Sequence, residues 1–402
     1  MSSSKNFKIA VCGAGIAGLS VATLLKEHGC DVVLFDKFKA PEPLGSGLIL
    51  QPTGLAVLQQ MALRHQAEET GARINRLHGK TATSGRTVLD VHYRHLSPDL
   101  YGIAIHRAAL FNLLLGAMEN AGCTLEPQSS VTGTAKHADS KMSVTFETGK
   151  DRGGFDLVID ALGIHSPLNS GKIKPLAYGA LWANVPYQQN SGFADDTLDQ
   201  RYRQAREMVG VMPIGKTPGS DAQTAAFFWS LKHQDFDAWK AGGIDAWKSK
   251  VFALWPQLEP TLQIITHTDD LVMAQYAHRT LSNPASGRVV HLGDSYHSAS
   301  PQLGQGANMA LLDAWALSKA IKENSDLDAA IKEFADSRRW HVRLYQTMSW
   351  LFTPVYQSDG YLSPLLRDLI AAPLSRIPPA PRLLASMVAG TLGSPLKRLG
   401  LR

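Results

Sequence analysis

The chain has 402 residues, 44% of them hydrophobic and 19% charged, with a formal net charge of +5. That length supports two or three lobes with real cores, and no run reaches the roughly 18 apolar residues of a membrane span. The excess charge lies wholly in 361–402, where Arg367, Arg376, Arg382, Lys397, Arg398 and Arg402 stand against Asp368 alone, so the basic balance does not argue for a nucleic-acid partner.

The first residues, Met-Ser-Ser-Ser-Lys-Asn, lack the apolar core of a secretory signal. Cys12, Cys30 and Cys123 have no metal-ligand spacing, which predicts a reducing, cytoplasmic setting. Residues 8–12 form a short apolar strand, followed by Gly13, Gly15 and Gly18 as GxGxxG. A helix is predicted over 16–28, with Ala17, Val21, Leu24 and Leu25 on one side and Gly29 as its stop. A second strand, 31–35, ends on Asp36. This is a βαβ dinucleotide fingerprint in its proper context. The first glycine makes the tight turn, the second admits the pyrophosphate, and the third lets helix and strand pack. Asp36 lies at the distance that holds the adenosine ribose. The fingerprint specifies an adenine dinucleotide without separating FAD from NAD.

A strand opened by glycines, including Gly47, is predicted over 45–52, and a helix over 53–63. Residues 74–100 alternate around the Ser84-Gly85 turn, and His106-Arg107-Ala108 precedes a helix bearing Leu110, Phe111, Leu114 and Leu115. Hairpin strands occupy 131–146. From Asp156 a strand runs into a loop holding Leu162, Gly163 and Ser166. Strands at 177–186, 208–214, 225–231 and 271–276 would form a second sheet, one wall of a pocket at a domain interface. Trp182, Tyr202, Met212, Phe227 and Trp229 are candidates for that wall, and alternation does not say which of them face it. Residues 236–254 read as helical.

The stretch 287–317 reads as strand, polar loop and helix. Val289, Val290 and Leu292 are the strand, Gly293-Asp294 ends it, and Pro301 stiffens the loop. Gly304 and Gly306 let backbone approach a ligand. The helix that follows carries Met309, Leu312, Ala316 and Leu317 at helical spacing. A helix start offers free N–H groups and partial positive charge, suited to the N1–C2=O edge of a reduced flavin, and Asp294 suits the hydroxyls of a sugar-alcohol chain. A long helix is predicted over 327–353. The tail is rich in Pro and Leu, with Leu384, Met387, Val388 and Leu392 as an apolar stripe. It reads either as a cover packed over the pocket or as an amphipathic, basic contact with a membrane or a lipophilic substrate carrier.

Gly293, Asp294, His297, Pro301, Gly304 and Gly306 together resemble the second FAD motif of the para-hydroxybenzoate hydroxylase family, the class A FAD-dependent monooxygenases. The resemblance implies an α/β fold in which a Rossmann-like FAD-binding domain is interleaved with a β-sheet substrate domain, followed by a C-terminal helical tail. The expected boundaries are 1–75, 101–175 and 281–325 for FAD binding, 76–100 and 176–280 for the substrate domain, and 326–402 for the tail. Implied FAD contacts are Gly13, Gly15, Ala17, Gly18, Asp36, Lys37, Gly47, Arg107, Gly163, Asp294, Pro301, Gly304, Gln305, Gly306, Ala307 and Asn308. Pro301 also borders the substrate, and His297 is the candidate base. The chain departs from the family pattern at Leu162, where an Asp is usual, and near Asn169, where a trailing Arg is absent. Asp160 is the substitute acid to weigh. Only Lys37 and Lys39 precede the Gly47 strand, where many relatives place an Arg.

With one GxGxxG, NADH or NADPH is implied as a visiting co-substrate. The implied reaction is hydroxylation of an aromatic or lipophilic small molecule with O2 through a flavin C4a-hydroperoxide. The flavin carries the chemistry, while the protein binds, orients and excludes water. Three readings stay open beside it. One is a flavin halogenase, whose Trp-x-Trp-x-Ile-Pro run is missing here. The others are a flavin oxidase or reductase, and a flavin-free binding protein on the same scaffold.

Overall fold

The computed structural model describes residues 6–40, 45–137, 139–187 and 192–401. Arg402, counted above in the basic tail, the opening residues 1–5 and Ala138 lie outside the described residues. A six-stranded sheet runs in the order Ala285–Ser286, Val289–His291, Leu157–Asp160, Lys8–Cys12, Asp31–Phe35 and Thr124–Glu126. All of its pairings are parallel except that between Ala285–Ser286 and Val289–His291. Its central strands are short runs of Val, Ile and Leu because both faces are covered. On one face the helices Ile16–Glu27 and Gly306–Glu323 share a core with Leu19, Leu24, Leu312 and Leu317. On the other, Phe35 meets Phe146 and Phe155 of a three-stranded antiparallel sheet.

The second sheet has seven strands, in the order Val272–Ala274, Tyr178–Pro186, Gln223–Lys232, Glu207–Lys216, Thr197–Arg203, Arg76–Thr81 and Thr87–His92. The strand Arg76–Thr81 joins it by pairing parallel with Thr197–Arg203. One face of this sheet is closed by the helices Phe236–Gly242 and Ile244–Leu254, centred on the buried Trp247. The other face meets the strand Gly47–Leu50 and the tail helix Ala380–Ala389, through Met212, Ile214, Ala226, Ile49, Ala385 and Val388.

This arrangement corrects two of the wall candidates. Phe227 and Trp229 turn away from the strand Gly47–Leu50 and the tail, with ring centroids 5.7 and 6.4 Å from that of Trp247. The reason is the period of two along a strand: Ala225, Phe227 and Trp229 share the helix-covered face, while Ala226 and Phe228 take the other. Trp182, Tyr202 and Met212 lie on the opposite face, toward the strand Gly47–Leu50 and the tail.

The helix Leu327–Tyr356 outlasts its expected end and carries Pro354 in its last turn. Asp326 caps it, accepting from Ala329 N at 3.0 Å. The predicted stripe of Leu384, Met387, Val388 and Leu392 packs inward over the sheet and the long helix, as a cover does. No helix among the described residues is long and apolar enough to cross a membrane. Trp229→Ala should destabilise the protein by about 3–5 kcal/mol in denaturant titration, because it empties a packed aromatic core, and should leave substrate KM unchanged. A raised KM with unchanged stability would return Trp229 to the pocket.

Candidate functional site

Four parallel strands end level with one another. Phe35 pairs with Cys12, Cys12 with Asp160, and Asp160 with His291. The segments that leave them, around Asp36, Gly13–Gly18, Gly163 and Gly293–Asp294, therefore converge on one edge. Ligands of open α/β sheets bind at that carboxyl edge.

The three fingerprint glycines are needed for three different reasons. Gly13 has φ +103° and donates its N–H to Phe35 O at 2.7 Å, and a Cβ there would stand 2.4 Å from Ala161 O. A Cβ at Gly18 would meet Gly13 O at 1.8 Å. At Gly15 a Cβ would meet nothing within 4 Å. Gly15 therefore opens onto the cleft, at the start of a helix with no side-chain cap. Uncapped N–H groups beside open space suit a pyrophosphate. Asp36 accepts from Ala14 N at 2.6 Å and Phe38 N at 3.2 Å, which leaves lone pairs for ribose hydroxyls. Ala17 is buried behind this turn against Gly293. Lys37 is exposed.

The second pole is built the same way. Gly293 (φ +58°) turns the chain so that Asp294 stands exposed, with no hydrogen bond or ion pair to other described residues. Pro301 begins a 3-10 turn that ends on left-handed Gly304 (φ +60°). A Cβ at Gly306 would meet nothing within 4 Å, and the helix Gly306–Glu323 also lacks a side-chain cap. Asn308 is fully buried: it donates to Ile49 O and Gly304 O, each at 3.0 Å, and accepts from Gln51 N at 2.7 Å. It therefore ties the loop to the strand Gly47–Leu50. Gln305 donates to Val388 O of the tail at 2.6 Å. Buried polar atoms without protein partners cluster here too, Gln51 Nε2, Ser300 Oγ and Gln305 Oε1. These residues fit FAD, with Asp36 and the first helix start for its adenosine diphosphate, Asp294 for its ribityl chain and the second helix start for its ring.

Residues 6–339 match the FAD binding domain family. The chain belongs to this family. Its relatives include 3-amino-4-hydroxybenzoate 2-monooxygenase of Streptomyces cremeus, 27% identical over 321 residues, 78% of each chain. Another is 6-hydroxynicotinate 3-monooxygenase of Bordetella bronchiseptica, 25% identical over 387 residues, 91% of this chain and 98% of the relative. The fold is similar to that of 2-methyl-3-hydroxypyridine-5-carboxylic acid oxygenase, with TM-score 0.79, 20% identity and 98% of each chain covered. It is also similar to Klebsiella pneumoniae HpxO complexed with FAD and uric acid, with TM-score 0.78, 21% identity, and 97% of this chain and 98% of that one covered.

Several expected contacts of this FAD-binding protein have other duties. His297 is buried, and its Nε2–H donates to Asp313 at 2.6 Å, the tautomer following from the carboxylate partner. It braces the loop and does not present a base to the cleft. Asp313 also accepts from Gly293 N at 3.0 Å and from Arg338 Nε at 2.7 Å. Burial alone would raise the Asp313 carboxyl, but His297 and Arg338 hold it below its ordinary range. Asp160 is not a substitute for the missing Asp of the middle motif. It is fully buried, accepting from Ser166 Oγ at 2.7 Å, His291 Nδ1 at 2.7 Å and Leu162 N at 3.1 Å. Leu162 packs against the core under the sheet. Gly163 (φ +78°) makes the turn after it. Gly47 gives up its side chain to the second sheet, since a Cβ there would stand 2.3 Å from Ile214 Cγ2. Arg107 is exposed, its stem against Gly45 and its guanidinium without an ion-pair partner among the described residues.

Sequence reasoning missed Arg279. It is buried and donates to Ile164 O at 2.6 Å, Asn169 O at 3.0 Å and Gly171 O at 2.9 Å. Asn169 in turn donates to Ser295 O beside Asp294. Arg279 thus clamps the middle loop from just beyond the distant strand Ala277–His278, and no local motif announces it.

Gly15→Ala should fold with stability changed by no more than about 0.5 kcal/mol and hold FAD at least about tenfold more weakly, since a methyl would enter the phosphate cradle. Asp294→Ala should also lose flavin. Unchanged flavin content in both purified variants would misplace the site. His341 accepts from Arg338 and bonds Gly390 O through Nε2 at 3.1 Å. Burial, aided by Arg338, pushes its pKa from 6.5 down to about 3. The unfolded chain takes up that proton first, so stability should fall as pH drops from 6.5 toward about 3. His341→Gln keeps both bonds without titrating and should flatten that part of the profile in urea melts. An unchanged slope would remove His341 from the linkage.

Proposed function

We propose that this protein is an FAD-dependent monooxygenase that hydroxylates a small aromatic or otherwise lipophilic molecule, using NADH or NADPH and O2. One observation carries the reading. The loop Pro301–Leu303 and Gly304, where the reactive end of FAD belongs, is bonded through Asn308 to the strand Gly47–Leu50, and that strand lies against an apolar sheet face bearing Met212, Ile214 and Ala226. A substrate held there is shielded from water on its sheet side. The named relatives act on single aromatic rings.

When bound, the flavin supplies the activation of O2 and the transfer of one oxygen atom. The chain supplies the rest. The two uncapped helix starts hold the anionic parts of the cofactor, and Asp294 fixes its sugar-alcohol chain. Met212 and Trp182 contribute apolar surface, with the Trp182 ring tilted by 35° against Phe228 at a centroid distance of 4.8 Å. Trp182 Nε1 donates to Tyr276 Oη at 3.1 Å. Burial pushes that phenol up to about 12, so Tyr276 stays protonated at neutral pH and its hydroxyl can donate to a substrate heteroatom. Peripheral membrane contact through the basic tail belongs to the same proposal, because that tail also roofs the sheet face.

The test is NAD(P)H oxidation across a panel of phenols, hydroxypyridines and quinolones. A matching substrate should stimulate oxidation, and one atom of labelled O2 should appear in the product. Oxidation that yields only hydrogen peroxide across the panel would favour the oxidase reading instead.

A further inference from the structure

Of the fourteen large apolar side chains exposed among the described residues, nine lie in 361–383. Soluble chains scatter such residues singly, and a contiguous group marks an interaction surface. Here the group is ordered by a helix. Leu362, Leu365, Leu369, Ile370 and Leu374 point outward, between 51% and 66% exposed, over consecutive helical turns 362–374. The inward side of those turns buries Pro364, Ala372 and the guanidinium of Arg367. Arg367 lies 5.0 Å from the Tyr202 ring and donates to Gln204 O and Val355 O, each at 3.1 Å. The helix is thus amphipathic in the sense opposite to a soluble one, with its leucines outside and a cation inside. Ser363 Oγ donates to Pro354 O at 2.9 Å, setting this face beside the end of the long helix, where Trp350 is 69% exposed.

Within 361–383 the exposed charges have one sign, and the nearby Asp359 is engaged by Lys232 at 2.7 Å. Arg376 and Arg382 are exposed, while the one acid of the stretch, Asp368, is taken by Arg367 at 2.7 Å. A second copy of the chain docked by two-fold symmetry would bring the same arginines together with no carboxylate from this stretch to meet them. A lipid leaflet offers hydrocarbon for the leucines and phosphate for the arginines. We propose that 361–383 is a docking face for a membrane surface carrying anionic headgroups, lying in the plane of the interface. This rests on the reading of the site above and deepens it. The opposite side of the same tail covers the sheet face with Met212 and Ile214, so a lipophilic substrate would be taken up where it is dissolved.

The experiment is flotation of the FAD-loaded full chain with vesicles of phosphatidylcholine alone, or of phosphatidylcholine mixed with phosphatidylglycerol. The protein should float with the mixed vesicles, and less so as salt rises. Arg376→Gln and Arg382→Gln should each weaken that binding roughly fivefold, and Leu365→Asp with Ile370→Asp should abolish it. Flavin content and NAD(P)H oxidation without vesicles should stay as in the parent, which separates this proposal from the monooxygenase reading. Failure to float with any vesicle while FAD is retained would overturn it. So would equal binding to neutral and anionic vesicles, or a concentration-dependent dimer in sedimentation that Leu365→Asp with Ile370→Asp converts to monomer.

Discussion

The level ending of four parallel strands is the constraint on which the site depends. Phe35, Cys12, Asp160 and His291 stand in one row of the sheet. A slip of one residue in any pairing would move a buried face to the wrong side, so the burial of both faces holds the row. Because the row is held, the chain leaves the sheet at one height four times, and segments far apart in sequence meet along a single edge. The two helix starts that carry free N–H groups both face that edge.

Two fully buried carboxylates keep the converging loops in place. Asp160 holds the start of the middle loop, Ser166 and His291 together. Asp313 holds Gly293, His297 and Arg338. An ionised carboxylate in the interior costs heavily unless each oxygen is met, and here each oxygen is met by side-chain or backbone donors. The bonds that make burial tolerable are also the bonds that aim the loops. Arg338 passes the constraint on to His341, and through it to the carbonyl of Gly390 in the tail, so the loop after Gly293 and the tail share one network.

The tail has two faces with opposite chemistry. Its inner residues, Ala385 and Val388, complete the cover over the second sheet. Its outer residues leave leucines in solvent, which the fold's own stability does not explain. The basic excess read from the sequence is likewise divided: Arg367 is internal, Arg376 and Arg382 lie beside the apolar face, and Lys397 and Arg398 sit on a short turn whose neighbours Leu399 and Leu401 pack into the first core.

The first βαβ unit and the Gly-Asp loop could be read directly from the sequence, because their chemistry is local. A glycine is required where a Cβ would strike backbone, and an acid follows a strand at a set distance. Strand positions in the second sheet are legible from alternation, but not which face is inner, and so only the structure separates Phe227 and Trp229, on the helix-covered side, from Trp182 and Met212 on the other. Partners distant in the chain were silent for the same reason. Nothing near His297 names Asp313, and nothing near Asn169 names Arg279. The sequence by itself determined the GxGxxG turn of the first βαβ unit and the Gly-Asp loop before the late helix, since turn geometry and helix starts depend on neighbouring residues. The tertiary structure alone decided which side chains face the cleft and which are used up as braces, because burial and long-range hydrogen bonds exist only once distant segments are packed together.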